Sequence, residues 1–276
     1  MFVNILQLLQ LEMEEPTAWG WYHIMWLCIT ICIIYALYKI RKNHSEKQLK
    51  MVLGTYAGIT LMTEFLKQVS WSFSLNDISE LIEFDYTWYS FPFQLCSTPM
   101  YVCLICLFLN KSKIRDYLLS YVAYITILGS LSAVFMPDTC LVSDILVNIH
   151  TMCLHYGSLV VSIYLLMSGE VPLKMQQLKR GICVFFGLTL FANFLNIIIY
   201  NSGILLDETF NMFYISPYFV SELPVFNMIQ QNAPYIVFLS TYIITLSLGG
   251  WIIYEVARYI QYINKKQPIH RLFHKF

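Results

Sequence analysis

Charge is what this chain has least of. Asp, Glu, Lys and Arg make up 12% of its 276 residues, about half the share of an average soluble domain. With 58% apolar residues and a mean hydropathy of +0.59, that shortage excludes a freely soluble globular domain and describes a polytopic membrane protein. No Gly-rich phosphate loop occurs, so nucleotide binding has no support, and the basic residues flank apolar runs, so nucleic acid is not expected as a partner. The last apolar run has no mid-membrane lysine, which excludes a retinal receptor. Inverted repeats and paired Gly/Pro-broken helices, marks of many transporters, are missing too. Cysteine is present eight times, but only Cys140 falls outside the apolar runs; a disulfide framework is not supported.

What is there is length of apolar sequence. Seven runs of roughly 19 to 25 residues are each long enough to cross a hydrocarbon core of about 30 Å as a helix. They lie near 19–40, 51–71, 89–109, 117–136, 145–167, 181–201 and 234–257. The expected fold class is all-α: one transmembrane domain over 1–276, with an outer interfacial segment (1–18), a seven-helix bundle (19–257) and a basic cytoplasmic tail (258–276).

The loops orient it. Lys39, Arg41, Lys42, Lys47 and Lys50 surround the first loop, Lys111, Lys113 and Arg115 the third, and Lys174, Lys179 and Arg180 the fifth. Arg258, Lys265, Lys266, Arg271 and Lys275 follow the last run. The N-terminus and the second, fourth and sixth loops carry acidic residues instead, among them Glu12, Asp77, Glu80, Asp138, Asp144 and Glu222. By the positive-inside rule the N-terminus lies outside and the C-terminus inside. The first fifteen residues lack a basic n-region, so no cleavable signal is expected. Met1 to Glu15 is expected along the outer interface, with Phe2, Ile5, Leu9 and Met13 on one side.

Polar residues inside the runs share a depth. His23, Glu64, Lys67, Gln94, Cys96, His150, His155, Asn193 and Asn196 all fall in the expected outer halves. Glu64 and Lys67, three residues apart, share a helix face. A network that only glues helices together would scatter in depth, so the layer favours a polar cavity in the outer leaflet. The third run opens with Phe91-Pro92-Phe93-Gln94-Leu95-Cys96-Ser97-Thr98-Pro99. Pro92 suits a first helical turn, whereas Pro99 would leave the Leu95 carbonyl without its helical donor. Cys96 would then lie near a helix N-terminus, which favours a thiolate. The stretch from Ser202 to Ala233 is long for a connection and is expected to form a short interfacial helix or a lid.

In such a cavity Cys96 and a histidine are the natural nucleophile and base, since an imidazole that takes the thiol proton creates an attacking thiolate. His150 and His155 are five residues apart, about 140° around a helix, so one metal cannot take both; no metal and no cofactor is expected. The expected function is a membrane-embedded acyltransferase or lipid thioesterase whose partner is a phospholipid or fatty-acyl substrate in the bilayer. The alternative is a non-enzymatic lipid or small-molecule binder, a sensor or transporter. The expected location is the plasma membrane of a bacterium.

The run Phe91 to Ser97 resembles the "LPLHLCS" signature of the YwaF-like integral membrane proteins, which include the eukaryotic transmembrane protein 164 acyltransferases. His23, Glu64, Gly129 to Asp138, His155-Tyr156-Gly157 and Asn211 to Pro217 match in order. Gln94 stands where the family usually has histidine, and Gln230 to Tyr235 replaces a "GPWPWY"-like segment. The resemblance implies a seven-helix bundle and acyl transfer onto phospholipids through a cysteine and a histidine matching Cys96 and His155. The preference for His155 over His150 comes from this resemblance, as does the supporting place of Asn211.

Overall fold

The computed structural model describes residues 2–41, 44–75 and 82–266. Lys42, Asp77, Glu80 and the end of the expected basic tail, with Arg271 and Lys275, lie outside the described residues.

Helices account for most of those residues. They are α1 (Phe2–Leu9), α2 (Trp21–Ile40), α3 (Glu46–Ser72), α4 (Thr98–Phe108), α5 (Lys113–Tyr121), α6 (Ile127–Phe135), α7 (Ile145–Ser168), α8 (Met175–Asn201), α9 (Pro224–Asn232) and α10 (Tyr235–Lys266). Their starts follow local capping chemistry. Ser45 accepts from Gln48 N, Ser112 from Arg115 N and Asp144 from Val147 N, each pairing an amide that the helix leaves without a partner. Gly169 closes α7 at φ +79°, a left-handed position that costs glycine nothing.

Among the described residues five helices are long and apolar enough to cross a membrane: α2, the α5–α6 unit, α7, α8 and α10. Two expected runs look different. Helix α3 has the length but carries Lys50, Glu64 and Lys67. Helix α4 is only 11 residues long, about 16 Å. The helix expected over 89–109 starts at Thr98 with Pro99 in its first turn, where the missing N–H would have no helical partner. Pro92 lies in irregular chain, and the Leu95 carbonyl is satisfied by the Thr98 hydroxyl at 2.7 Å. Cys96 therefore precedes the N-cap Ser97 instead of sitting inside the helix.

Helix α7 is central, packing on α2, α3 and α6. Between α5 and α6 the helix widens into a π turn, Val122–Thr126. The Val122 carbonyl takes hydroxyl hydrogens from Thr126 at 2.8 Å and from Ser162 of α7 at 2.7 Å. Helix α8 closes on α5 at Gly181, where a Cβ would stand 2.7 Å from the Ser120 carbonyl oxygen; only glycine permits that approach.

Contacts at both ends of the bundle join segments far apart in the chain. Leu6 is the buried residue of α1, while Phe2 and Ile5 are exposed; α1 is held against α3 by Gln10, which donates to the Ser70 and Phe73 carbonyls. Met13 N donates to Ser143 O, and Ile145 N to Leu11 O. A short antiparallel pair, β1 (Phe73–Leu75) with β2 (Ile82–Phe84), extends α3. At the other end, Arg115, expected in a loop, is 1% exposed. It is held by Glu46 at 2.6 Å and Glu170 at 2.8 Å, and Glu170 also reaches His44 at 3.0 Å. A guanidinium tolerates this burial because two carboxylates occupy its fork.

The 202–233 connection is more a plug than a lid. Phe210, Met212, Phe213 and Ile215 are buried in the main core. Helix α9 has no buried residue and matches the short helix expected there.

Candidate functional site

Cys96 sits in a turn built by Gln94, whose carbonyl accepts from Ser97 N at 2.9 Å and Thr98 N at 3.2 Å. The thiol is free and half-buried against the main core. The Gln94 side chain reaches across to the plug, donating to Asn211 O at 3.0 Å and accepting from Phe213 N at 2.8 Å. Phe93 stacks on Phe213, ring centroids 5.7 Å apart.

That turn of the plug is conformationally demanding. Phe213 and Tyr214 have φ of 60° and 56°, values that cost a non-glycine residue roughly 1–3 kcal/mol unless its surroundings hold it. Asn196 of α8 provides part of the hold, accepting from Met212 N at 2.7 Å and donating to Met212 O at 3.0 Å. Asn211 accepts from Ser216 N and donates to Val220 O. Asn193 accepts from the Tyr235 hydroxyl at 2.6 Å. Gln94, Asn193, Asn196 and Asn211 thus converge, and what they build is the plug.

A second cluster gathers on α3 and α7. Glu64 is bonded by His150 Nε2 at 2.9 Å, Lys67 Nζ at 2.9 Å and Gln68 Nε2 at 2.7 Å. His150 Nδ1 is 3.0 Å from the Thr63 hydroxyl, which itself lies within donating distance of the Ile59 and Thr60 carbonyls. Gln68 also donates to Ser90 O at 2.7 Å, tying α3 to the chain just before the Cys96 stretch. Both nitrogens of His150 are therefore occupied.

His155 is held differently. Its ring lies against the backbone of Gly129, and its Nδ1 is buried with no hydrogen-bond partner among the described residues. His23, fully buried, accepts from Trp19 N through Nδ1 at 3.2 Å and faces Tyr156 edge-on at 6.2 Å. A cavity of about 320 Å³ lies between α2, α3 and α7, and none of the ten candidate residues lines it.

Several members of these clusters escaped the sequence reading. Gln68 was within reach of it, four residues from Glu64 on one face. Thr63, Ser90, Glu46, Glu170 and His44 carried no local signal. Among the described residues no group of three or more His, Cys, Asp or Glu is placed to hold a metal ion.

Comparison with known proteins yields one match. The family model described as the TMEM164 family matches residues 18–252. No curated protein and no solved structure matches.

Proposed function

Because the chain belongs to the TMEM164 family and is an integral, multi-pass membrane protein, we propose that it is an acyltransferase or lipid thioesterase acting on phospholipid acyl chains. Cys96 is the nucleophile and His155 the general base. The observation that carries the choice is the pair of imidazoles on α7. His150 has both nitrogens engaged by Glu64 and Thr63, whereas His155 keeps an unpartnered Nδ1. A neutral ring that donates from its other nitrogen carries its lone pair on Nδ1, ready to accept a proton.

In the reaction, Nδ1 takes the Cys96 proton and the thiolate attacks the acyl carbonyl carbon. The carbon–oxygen ester bond breaks, the departing lysolipid oxygen takes the proton back, and a thioester remains. A second lipid hydroxyl, or water in the thioesterase reading, attacks the thioester and restores the thiol. An amide donates two hydrogens, and only one Gln94 Nε2–H contact is used in holding Asn211; the other serves as oxyanion donor. Glu64, Lys67 and His150 brace α3 against α7, and Asn193, Asn196 and Asn211 hold the plug beside Cys96.

The finer membrane arrangement belongs to the same proposal. The bundle crosses seven times, with α3 and the 91–108 segment added to the five long apolar helices. The N-terminus faces out and the C-terminus in, since the basic residues cluster at alternate ends, and the host is the plasma membrane of a bacterium. Labelling by a lipid-like electrophile tests the reaction: wild type labels at Cys96 and loses the label with Cys96→Ala. A folded Cys96→Ala protein that still exchanges acyl chains in vesicles overturns the assignment.

A further inference from the structure

We propose that Tyr121 is a positioning residue for Cys96, acting through the Thr98 hydroxyl and the Leu95 carbonyl to fix the peptide from which the thiol projects. The proposal rests on the reading of Cys96 as the nucleophile and adds a residue of α5 to that site.

The sequence creates the need. The amide four residues after Leu95 is that of Pro99, which has no N–H, so the Leu95 carbonyl takes its hydrogen from a side chain. Thr98 Oγ1 donates it at 2.7 Å. A hydroxyl has one hydrogen, and with that one spent Thr98 Oγ1 is the acceptor in its contact with the Tyr121 hydroxyl. Tyr121 therefore donates, and the chain runs from Tyr121 through Thr98 to Leu95 O. Thr98 and Tyr121 are both buried, so solvent does not compete for either bond.

Both ends of the chain are fixed. Tyr121 closes α5, and its backbone is gripped from two sides. A Cβ on Gly181 of α8 would stand 2.7 Å from Ser120 O and 3.1 Å from Tyr121 N, so α8 presses directly on this backbone. At the next residue the Val122 carbonyl is held by Ser162 of α7, where the π turn begins; such turns are frequent at functional sites. At the other end, Leu95 O and Cys96 N belong to one planar peptide, so an anchored carbonyl sets the direction of the N–H. That N–H has no carbonyl partner among the described residues and lies against the Cys96 sulfur, in position to donate to a thiolate. Gln94 O holds the Ser97 and Thr98 amides; Tyr121 controls the peptide that Gln94 does not.

Packing alone does not call for these hydroxyls. Phenylalanine and valine have nearly the shapes of Tyr121 and Thr98, and replacing both partners of a hydrogen bond by apolar groups is close to neutral. Only the hydroxyl pair anchors the carbonyl beside the nucleophile.

The test measures the rate at which a lipid-like electrophile modifies Cys96 in the full-length protein, over a range of probe concentrations, by mass spectrometry of the Cys96 peptide. Tyr121→Phe and Thr98→Val should each lower the saturating rate about tenfold to a hundredfold, the scale of a small misplacement. The half-saturating probe concentration should change little. Thr98→Ser keeps the hydroxyl and should restore most of the rate. The double variant should be no slower than the slower single one, because both substitutions break one chain. Labelling of the exposed Cys28 should be the same in every variant. A wild-type Cys96 that resists the probe overturns the reaction and the positioning role together. With wild type labelled, the positioning role alone is overturned if Tyr121→Phe and Thr98→Val react as fast, if Thr98→Ser is as slow as Thr98→Val, or if the two losses multiply in the double variant.

Discussion

His150 Nε2 lies 2.9 Å from Glu64 Oε2, and each residue is 4% exposed. The contact joins α7 to α3 and leaves the neighbouring histidine of α7 as the one with a free buried nitrogen. It also makes Glu64 the acceptor shared by Lys67 and Gln68.

Removing Glu64 should therefore unfold more than one contact. Glu64→Ala strands the Lys67 ammonium and His150 without a carboxylate, a loss of about 3–5 kcal/mol for a buried pair broken from one side. Thermal unfolding in detergent should register it, with Glu64→Gln recovering part. A loss below about 1 kcal/mol would mean that the cluster is open to water.

Gln94→Ala and Asn196→Ala should each release the 211–215 turn, because each removes two hydrogen bonds to its backbone. The cost is about 1–3 kcal/mol apiece. Amide hydrogen exchange should accelerate at Met212 and Phe213 well before it does in α7. Gln94→His cannot reproduce both an amide acceptor and its paired donor, so it should recover only part of the protection.

The two histidines should separate by kind of defect. His155→Ala is expected to slow Cys96 labelling about 10²–10⁴-fold, the usual contribution of a positioned base, while melting changes little. His150→Ala should instead lower the melting temperature and leave the labelling rate of the folded fraction near wild type. Equal rate losses would assign the base to the cluster as a whole.

A pH dependence follows from the opposite end of the bundle. Arg115, bonded to Glu46 at 2.6 Å, holds the Glu46 carboxyl below its ordinary value of 4.5. A depressed folded value means that the unfolded chain binds the proton first, so the contribution is present above pH 4.5 and is lost as pH falls through the lower folded value. Melting curves across that acid range should flatten in Glu46→Gln. Solvent exposure of the Glu46 side chain keeps the effect small.

Sidedness is open to chemical labelling. In a cysteine-free background, Asp85→Cys should react with a membrane-impermeant maleimide in intact cells, and Lys111→Cys only after permeabilisation. The reverse result would invert the proposed orientation.

Much of the fold was legible because hydropathy acts locally. Helices α2, α7, α8 and α10 fall close to their expected runs, and the α5–α6 unit nearly so, since about twenty apolar residues in succession leave a helix as the stable way to pair the backbone in lipid. The third run misled. Its apolar residues span a membrane's width on paper, but the chain around Pro92 is irregular and the α-helix runs only over Thr98–Phe108, with Pro99 in its first turn. Arg115 misled in the other direction: counted as a loop cation, it is buried because Glu46 and Glu170 arrive from distant parts of the chain.

Within the candidate site the residue types were readable from the sequence, and so were the membrane class and the helix content. Each depends on neighbours within a turn or a run. Tertiary structure alone decided that Glu64 meets His150 and not His155, and that Gln94 and Asn196 clamp a strained turn. Hydrogen bonding requires atoms about 3 Å apart, and for residues on different helices that distance is set by packing, through contacts such as Gly157 on Tyr56 and Gly181 on Ser120.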